Sequence, residues 1–449
     1  MAKRYFGTDG IRGRVNRGEI TPQLAMKVGL AAGKLLRDGD HKHRVVIGKD
    51  TRRSCYMLEA ALASGFSAAG MDVTYLGPMP TPAVARMVKS LRADVGVMIS
   101  ASHNAHHDNG MKFFGPDGYK ISDEMESRIE ELIDADENTL LADSETLGHI
   151  GRLNGVKGRY VEFAKSTIES DISLEGMKIV LDCANGAAHR VGPQLLEELG
   201  AEVIALGVSP NGLNINDGCG STAPEVMSAK VVEEKAAIGI ALDGDADRII
   251  VCDETGTVID GDQLLALIGR AWKKSGKLRG NTIVATVMSN MGLGDFLNGI
   301  GIDLVRTPVG DRHVVKEMRA NDYNVGGEQS GHIVLSDYAT TGDGIVSGLQ
   351  ILAEMVQTGK KASEICSCFS PYPQILKNVR FTGKDPLDNS DVQASIVQQE
   401  KQLGDQGRVF IRKSGTEPLI RVMVEGRDHE QISEISNELV DAIKKGALR

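Results

Sequence analysis

The 449-residue sequence predicts an α/β protein of several domains, because one strand–helix–strand pattern recurs three times along it. Each copy has a short apolar run, a helical stretch, and a second apolar run opened by a glycine. The copies begin at Arg44, Met177 and Thr282. Such a pattern is typical of two parallel strands that a helix joins by a right-handed crossover.

A further strand-like run follows in each copy, and a polar segment of distinct composition follows that run. The three polar segments are Ser100–Asn104, Asp243–Arg248 and Gly327–His332. In α/β sheets, ligands bind beyond the carboxyl ends of strands, where loops vary without disturbing the core. We therefore expect three related domains, each presenting one specialised loop to a shared cleft.

The end of the chain departs from this pattern. After Pro371 and Pro373 come two strand-like runs, Arg408–Arg412 and Leu419–Val424, and then isoleucines and leucines at helical spacing. This order predicts a fourth, smaller α+β domain. The expected domains are 1–155 with the serine loop, 156–256 with the aspartate loop, 257–369 with the glutamate loop, and 370–449.

Composition argues against binding to nucleic acid or to membranes. There are 51 lysines and arginines against 61 aspartates and glutamates, so the formal net charge is −10, and only 4% of residues are aromatic. Such a chain lacks a broad basic surface and stacking side chains. No apolar run approaches the about 18 residues of a membrane helix, and no signal segment precedes Gly7. With six scattered cysteines, these features predict a cytoplasmic protein.

The segment Asp243–Arg248 predicts a metal site. Asp243, Asp245 and Asp247 alternate, and in an extended segment side chains two apart point the same way. Three crowded carboxylates repel one another unless a cation is present, and oxygen ligands suit magnesium, manganese or calcium. A calcium-hand loop is disfavoured, because its sixth position holds Arg248 and not glycine. A solvated acidic turn is the alternative, and the flanking apolar strands argue against it.

Ser102 is the candidate nucleophile. It follows a buried-type strand and lacks the Gly-x-Ser-x-Gly sequence of the α/β hydrolases. A serine beside a divalent cation is suited to carrying a phosphoryl group, because the cation offsets charge on the transferring oxygens. Taken alone, Ser102 is better interpreted as an ordinary loop or capping residue. Taken together with the aspartate loop, the phosphoryl carrier is the favoured interpretation.

Two further segments have the composition of ligand sites. Arg412–Thr416, with Arg421, combines glycine, hydroxyl groups and arginine, and this predicts a phosphate cradle; a plain hairpin turn is the alternative. Glu328, Ser330 and His332 alternate like the aspartates, and would place two or three polar groups for sugar hydroxyls on one face; a polar strand end explains this segment equally well. Arg12 and Lys112 are candidate cations of the cleft.

Five motifs together resemble the α-D-phosphohexomutase family, and they occur in the family's order over essentially the whole chain. They are Gly7–Gly13, Ser100–Asn104, Asp243–Arg248, Gly327–His332 and Arg412–Pro418. The resemblance implies four domains around a central cleft, the first three sharing a mixed α/β core. It implies that Ser102 carries the phosphoryl group and binds one Mg²⁺ with Asp243, Asp245 and Asp247.

The resemblance also assigns the remaining site residues. It implies that Glu328 and Ser330 would contact the sugar hydroxyls, and His332 is a further candidate beside them. Arg12, Lys112 and Arg248 join Ser102 as catalytic candidates on their positions in these motifs and in the predicted cleft. The phosphate that does not react would be held by Arg412, Ser414, Gly415, Thr416 and Arg421. Family members with other sugars usually carry a histidine near Asp311 and a lysine near Met288. Their absence leaves the general base open among Asp311, Lys112 and His332.

The first and fourth motifs most resemble the bacterial glucosamine branch of the family. This branch implies reversible conversion of glucosamine 6-phosphate to glucosamine 1-phosphate, through phosphoserine and enzyme-bound glucosamine 1,6-bisphosphate, in supply of UDP-N-acetylglucosamine for the cell wall. A sugar bisphosphate would prime the enzyme; an activating kinase and a homodimer stay open. The rivals are glucose or mannose phosphate as substrate, a metal-dependent phosphatase, and a binding protein without turnover.

Overall fold

A computed structural model describes residues 4–382, 385–413 and 418–447. These residues form two compact units. The first contains residues 4–288 and 301–368, and the second contains residues 289–300 and 369–447. Among the described residues, no helix combines the length and the apolar character that crossing a membrane requires.

The first unit begins with a six-stranded sheet and its helices. Its elements are β1 (Ile11–Arg14), α1 (Pro22–Leu36), β2 (Arg44–Lys49), α2 (Arg53–Ala68), β3 (Asp72–Pro78), α3 (Thr81–Leu91), β4 (Val95–Ile99), β5 (Asp108–Phe114), α4 (Asp123–Ile133) and β6 (Ile150–Arg152). The strand order is β1-β5-β4-β2-β3-β6.

Two smaller sheets complete the first unit. The second domain contains α5 (Val156–Lys165), β7 (Lys178–Asp182), α6 (Val191–Glu198), β8 (Glu202–Leu206), α7 (Glu225–Glu234), β9 (Ile238–Leu242), β10 (Ile249–Asp253) and β11 (Val258–Ile259). The third contains α8 (Gly261–Lys274), β12 (Thr282–Thr286), β13 (Asp303–Thr307), α10 (Asp311–Asn321), β14 (Val325–Gly327), β15 (Ile333–Leu335), α11 (Gly344–Thr358) and α12 (Ala362–Cys366), and α9 (Met291–Gly299) follows β12 along the chain but is part of the second unit. Their orders are β11-β10-β9-β7-β8 and β13-β12-β14-β15.

The three sheets share one arrangement, which confirms the repeat read from the sequence. In each, the first strand of the repeat lies between the two that follow it, and all three are parallel. An antiparallel strand then pairs with the third: β5 with β4, β10 with β9, and β15 with β14. Each polar segment singled out above is therefore the loop between a third strand and its antiparallel partner.

Burial explains the regular apolar runs. Every residue of β4 and β9 is buried, as expected of parallel strands covered on both faces by helices. The core of the first domain includes Val45 and Ile47 of β2, Phe66 of α2 and Ile99 of β4. Strands held on both faces place the loops at their carboxyl ends with little freedom.

The second unit is the predicted α+β domain. It contains β16 (Gln374–Arg380), α13 (Ser390–Leu403), β17 (Gly407–Lys413), β18 (Leu419–Gly426) and α14 (His429–Gly446), with the antiparallel order β16-β18-β17. The sequence reading found β17, β18 and α14 but not β16 or α13. Helix α9, although it joins β12 to β13 along the chain, belongs to this unit: Glu425 accepts a hydrogen bond from the Met291 N–H at 3.0 Å.

Candidate active site

The loop between β4 and β5 holds Ser102 in a buried, left-handed conformation. Ser102 has φ of 52° and is 2% exposed. Its N–H donates to Ser100 Oγ at 2.9 Å. Arg52, which is fully buried, donates to the carbonyls of Ser102 at 2.9 Å and of Asn104 at 2.8 Å, while Asp50 pairs with its Nε at 2.8 Å. Because the loop backbone is bonded on several sides, the serine side chain has a defined direction.

The three aspartates converge, but not by the geometry expected from their alternation. Leu242 of β9 pairs directly with Ile249 of β10, so Asp243–Arg248 is the loop of a hairpin and not an extended segment. Ala246 has φ of 57°, which tightens the turn. Carboxylate oxygens of Asp243, Asp245 and Asp247 nevertheless lie within 4.8 Å of one another, and all three residues are buried. The predicted convergence is correct, and the predicted extended conformation is wrong.

Ser102 lies directly against this cluster. Its Oγ donates to Asp243 Oδ2 at 2.5 Å. Burial, and then the charges of Asp247 and Asp245, raise the pKa of Asp243 well above its usual value. Oδ1 of Asp245 and Oδ1 of Asp247 are buried without a hydrogen-bond partner among the described residues. A divalent cation with oxygen ligands fits such a set, because it would satisfy these atoms and offset the repulsion.

Lys112 is part of the same cluster. It lies on β5, is 1% exposed, and its Nζ lies 2.8 Å from Asp245 Oδ2 and 3.0 Å from Asp247 Oδ2. Burial lowers its pKa, but Asp245, Asp247 and Asp9 outweigh burial and raise that pKa well above the usual value. Lys112 therefore keeps its proton and neutralises part of the carboxylate charge, which argues against a role as the general base.

A chain of alternating charges continues from this cluster. Asp9 contacts Arg12 and Lys120, and Lys120 also contacts Asp311. Burial raises the pKa of Asp9, but Lys112, Lys120 and Arg12 outweigh it and hold that pKa well below its usual value. Of the predicted residues, Arg12 and Asp311 are thus joined through Asp9 and Lys120, two residues to which the sequence reading gave no role.

His332 links Asp311 to the aspartate cluster. Its Nε2 lies 3.5 Å from Asp311 Oδ2, and its Nδ1 lies 3.6 Å from Asp247 Oδ1. Burial lowers the pKa of His332, but Asp247, Asp311 and the nearby Glu328 outweigh it and raise that pKa. The surrounding carboxylates therefore favour the protonated imidazole.

The segment Gly327–His332 is a turn between β14 and β15. Glu328 N–H donates to the His332 carbonyl at 3.0 Å, and Glu328 Oε1 accepts from Gly310 N–H at 3.1 Å. Ser330 is exposed, whereas His332 is buried. A tight turn and not a strand carries these residues, so alternation does not place all three on one face: Glu328 lies near His332, while Ser330 is exposed.

Arg248 completes the catalytic candidates of the first unit. Burial lowers the pKa of its guanidinium, but Asp247, Asp243 and Glu328 outweigh it and raise that pKa. Its Nε is buried and has no hydrogen-bond partner among the described residues. A charged donor in this state is suited to binding an anion beside the aspartate loop.

In the second unit, Arg412 and Arg421 face each other on β17 and β18. Burial and the neighbouring Arg421 lower the pKa of Arg412, and Arg421 Nε is buried without a described partner. Like charges directly opposite in a sheet are unfavourable unless an anion lies between them. The other residues of the predicted cradle, Ser414, Gly415 and Thr416, lie outside the described residues.

Sequence reasoning missed the residues that hold the Ser102 loop. Asp50 and Arg52 follow β2 directly, so the rule that ligand-site residues lie beyond carboxyl ends of strands could have found them. Asn216, whose side chain donates to the Ser102 carbonyl at 2.8 Å, comes from a long loop of the second domain and carries no local signal.

Comparisons with known proteins agree with this geometry. All four domain models of phosphoglucomutase/phosphomannomutase match: alpha/beta/alpha domains I, II and III at residues 3–140, 158–256 and 260–372, and the C-terminal domain at residues 376–442. A phosphoglucosamine mutase of a Chelativorans species is 59% identical over 443 residues, 99% of this chain and 98% of that protein. The chain belongs to the phosphoglucosamine mutase family. Membership confirms the resemblance read from the motifs, the four-domain α/β fold and the phosphohexomutase class of enzyme.

Two solved structures support the fold of this family member. A phosphoglucomutase/phosphomannomutase family protein of Burkholderia thailandensis has a TM-score of 0.82 at 23% identity, covering 98% of this chain and 97% of that one. N-acetylphosphoglucosamine mutase of Aspergillus fumigatus, in complex with GlcNAc-6P and magnesium, has a TM-score of 0.67 at 18% identity, covering 99% and 96%. At these identities, the likeness concerns the fold alone.

Proposed function

We propose that this protein interconverts glucosamine 6-phosphate and glucosamine 1-phosphate through a phosphoserine at Ser102 and a bound glucosamine 1,6-bisphosphate. One observation carries the chemistry: Ser102 Oγ lies 2.5 Å from Asp243, within a buried group of three converging carboxylates. The substrate rests on the 59%-identical relative that is named phosphoglucosamine mutase. The cell-wall precursor pathway follows from that substrate.

Asp243, Asp245, Asp247 and the oxygen on Ser102 are the proposed ligands of one Mg²⁺. When bound, it would supply positive charge for the phosphoryl oxygens as the phosphoryl group is transferred. Lys112 neutralises the Oδ2 atoms of Asp245 and Asp247, and Arg52 with Asn216 holds the loop that carries the serine. Catalysis then comes from fixed positions and charge rather than from strain.

Each half-reaction exchanges one bond for another. The bond between the Ser102 oxygen and phosphorus breaks as a sugar hydroxyl oxygen bonds to phosphorus, and the hydroxyl proton passes to a base. After the bisphosphate turns over in the site, its other phosphate returns to Ser102 and the proton goes back. Because Lys112 stays protonated, the proposed candidates for this base are Asp311 and His332, which lie 3.5 Å apart.

The remaining ligand roles are also proposals. Glu328, Ser330 and His332 would contact the sugar hydroxyls, and Arg412 and Arg421 would bind the phosphate that is not transferred. We propose priming of Ser102 by a sugar bisphosphate or an activating kinase, a cytoplasmic location, and a homodimer as the state in solution.

The decisive experiment is a mutase assay on four substrates side by side. Glucosamine, N-acetylglucosamine, glucose and mannose 6-phosphates are compared with Mg²⁺ and a priming sugar bisphosphate, and released inorganic phosphate is measured in parallel. The proposal expects the highest kcat/KM on glucosamine 6-phosphate, without net phosphate release. Faster turnover of glucose or mannose phosphate would show that glucosamine phosphate is not the preferred substrate. Stoichiometric phosphate release would show that the protein is a phosphatase and not a mutase.

A further inference from the structure

A cavity of about 490 Å³ lies between the first two domains and contains none of the candidate catalytic residues. Its walls are segments that follow strands: Thr51 after β2, Arg152 at the end of β6, His189 after β7, and Pro210–Gly212 after β8. Carboxyl ends of strands from two sheets therefore meet at a second place besides the Ser102 loop. This is the position at which α/β proteins commonly bind ligands.

The cavity is lined by cations. Arg53, Arg152, Lys157 and Arg190 all reach it, with His189 beside them, and no carboxylate is among its described lining residues. None of these four cations has an ion pair with a residue that the structure describes. Burial and the nearby Arg190 lower the pKa of Lys157. In a chain of net charge −10, such a group of unneutralised cations needs an explanation.

Three helices begin at the same cavity, and none has a side-chain cap. Arg53 is the first residue of α2, Lys157 the second of α5, and Arg190 immediately precedes α6. The first turn of a helix carries a partial positive charge, which favours an anion. The backbone and the side chains thus contribute the same sign of charge.

We propose that this cavity binds a small anion that carries two or more phosphate groups. Arginine guanidinium groups bind phosphate oxygens in pairs, and four cations match the charge of a diphosphate better than that of a single phosphate. The volume suits a ligand of nucleotide size. Tyr56, which is 58% exposed, adds an aromatic ring to the wall, so a nucleoside diphosphate would have a surface for its base.

The walls of the cavity are continuous with the segments that hold the Ser102 loop. Arg53 N–H donates to the Gly212 carbonyl at 3.0 Å. Arg52, its neighbour in sequence, and Asn216, four residues beyond Gly212, both donate to the Ser102 carbonyl. An anion in the cavity therefore contacts the two segments on which the position of the serine depends.

Isothermal titration calorimetry without Mg²⁺ tests the proposal, with inorganic pyrophosphate as the probe and orthophosphate and citrate as comparisons. The test variant is Arg152→Ala/Arg190→Ala, and both side chains are exposed, so folding should be retained and circular dichroism checks it. The matched control is Arg159→Ala, an exposed arginine of α5 outside the cavity. Arg421→Ala is included because Arg412 and Arg421 could also bind pyrophosphate.

We expect wild type, Arg159→Ala and Arg421→Ala to bind pyrophosphate at this cavity with similar affinity. The double variant should bind it at least tenfold more weakly. The wild-type affinity for pyrophosphate should fall as salt rises and should exceed that for orthophosphate and citrate. Tighter binding of ADP or UDP than of pyrophosphate would support the proposal and would indicate that the nucleoside base contacts the ring of Tyr56. Pyrophosphate binding that Arg421→Ala abolishes and the double variant leaves unchanged would overturn it, as would no binding at all.

Discussion

The first unit has two candidate ligand sites beyond the carboxyl ends of its strands, and they differ mainly in how their charges are neutralised. The acidic centre, which we define as Asp243, Asp245 and Asp247, has Lys112 buried against it. The basic cavity, lined by Arg53, Arg152, Lys157 and Arg190, has no described counter-charge. Both are formed by the same two domains, at the same edges of their sheets.

The difference indicates two kinds of ligand site. At the acidic centre, the protein supplies part of the compensating charge through Lys112 and leaves two buried carboxylate oxygens without a described hydrogen-bond partner, which marks a position for a cation. At the basic cavity, the protein supplies only positive charge, so the compensating negative charge has to come from anions in solution. The first arrangement suits catalysis, which depends on fixed geometry, and the second suits reversible binding.

The largest expected effect concerns the nucleophile at the acidic centre. Ser102→Ala should lower kcat by more than about a thousandfold, because no other described side chain is placed to carry the phosphoryl group. Calorimetry should show that glucosamine 6-phosphate still binds. Ser64→Ala, at an exposed serine of α2, is the control. Near-normal turnover of Ser102→Ala would overturn the mechanism.

The second prediction removes the protein's own counter-charge. Lys112→Met leaves Asp245 and Asp247 buried without their cation, and we expect the unfolding free energy in EDTA to fall by about 3–5 kcal/mol. Added Mg²⁺ should restore more stability to this variant than to wild type, because it replaces the missing charge. Lys27→Met, which breaks an exposed pair with Glu137, should change stability by about 1 kcal/mol or less. Equal effects in the two variants would mean that Lys112 does not neutralise the centre.

The third prediction concerns the pH dependence of stability. Asp343 is the N-cap residue of α11 and accepts a hydrogen bond from the Tyr160 hydroxyl at 2.9 Å, and burial raises its pKa to about 6. Between about pH 4 and pH 6 the folded state holds this proton and the unfolded state does not. Raising the pH through that range should therefore cost up to about 3 kcal/mol of stability.

Asp343→Asn keeps an oxygen that can cap the helix and removes the titration. Its urea-unfolding free energy should fall less than that of wild type as the pH rises from 4 to 6.5. Parallel curves for the two proteins would show that Asp343 ionises normally in the folded state.

The smallest expected effect lies in the second unit. Arg421→Ala should raise KM for glucosamine 6-phosphate about tenfold, since it removes one charged donor to a phosphate. Mg²⁺ affinity should stay unchanged, because the acidic centre is in the first unit. Arg427→Ala, at an exposed pair with Asp295, is the control. An unchanged KM in Arg421→Ala would show that Arg421 of the second unit does not contribute to substrate binding.

Much of the fold could be predicted because the repeat is local. Each β-α-β pattern lies within a few dozen residues, and continuous apolar runs such as Val95–Ile99 are typical of parallel strands buried on both faces. In the last domain, the elements missed were β16, which has only one buried residue, and α13, which has three. Their side chains are mostly in contact with solvent, so the apolar periodicity by which a helix or strand is predicted from sequence is weak.

The candidate site was predictable in its chemistry and less so in its conformation. Three aspartates between apolar strands indicated converging carboxylates, yet the convergence comes from the hairpin between β9 and β10. The same reasoning placed Ser330 and His332 on one face, and a turn separates them into an exposed and a buried residue. Spacing two apart therefore predicts a shared face only where the segment is extended, and loops at strand ends rarely are.

The sequence alone determined which groups the protein offers: three related strand–helix units, polar loops after their third strands, and oxygen ligands for a hard cation. Only the tertiary structure decided which charges are neutralised. Lys112 reaches Asp245 across 133 residues of sequence, while Arg53, Arg152, Lys157 and Arg190 come together from separate elements without a described carboxylate. Coulomb energy depends on distances of a few ångströms between charges, and the packing of domains, not local spacing, sets those distances.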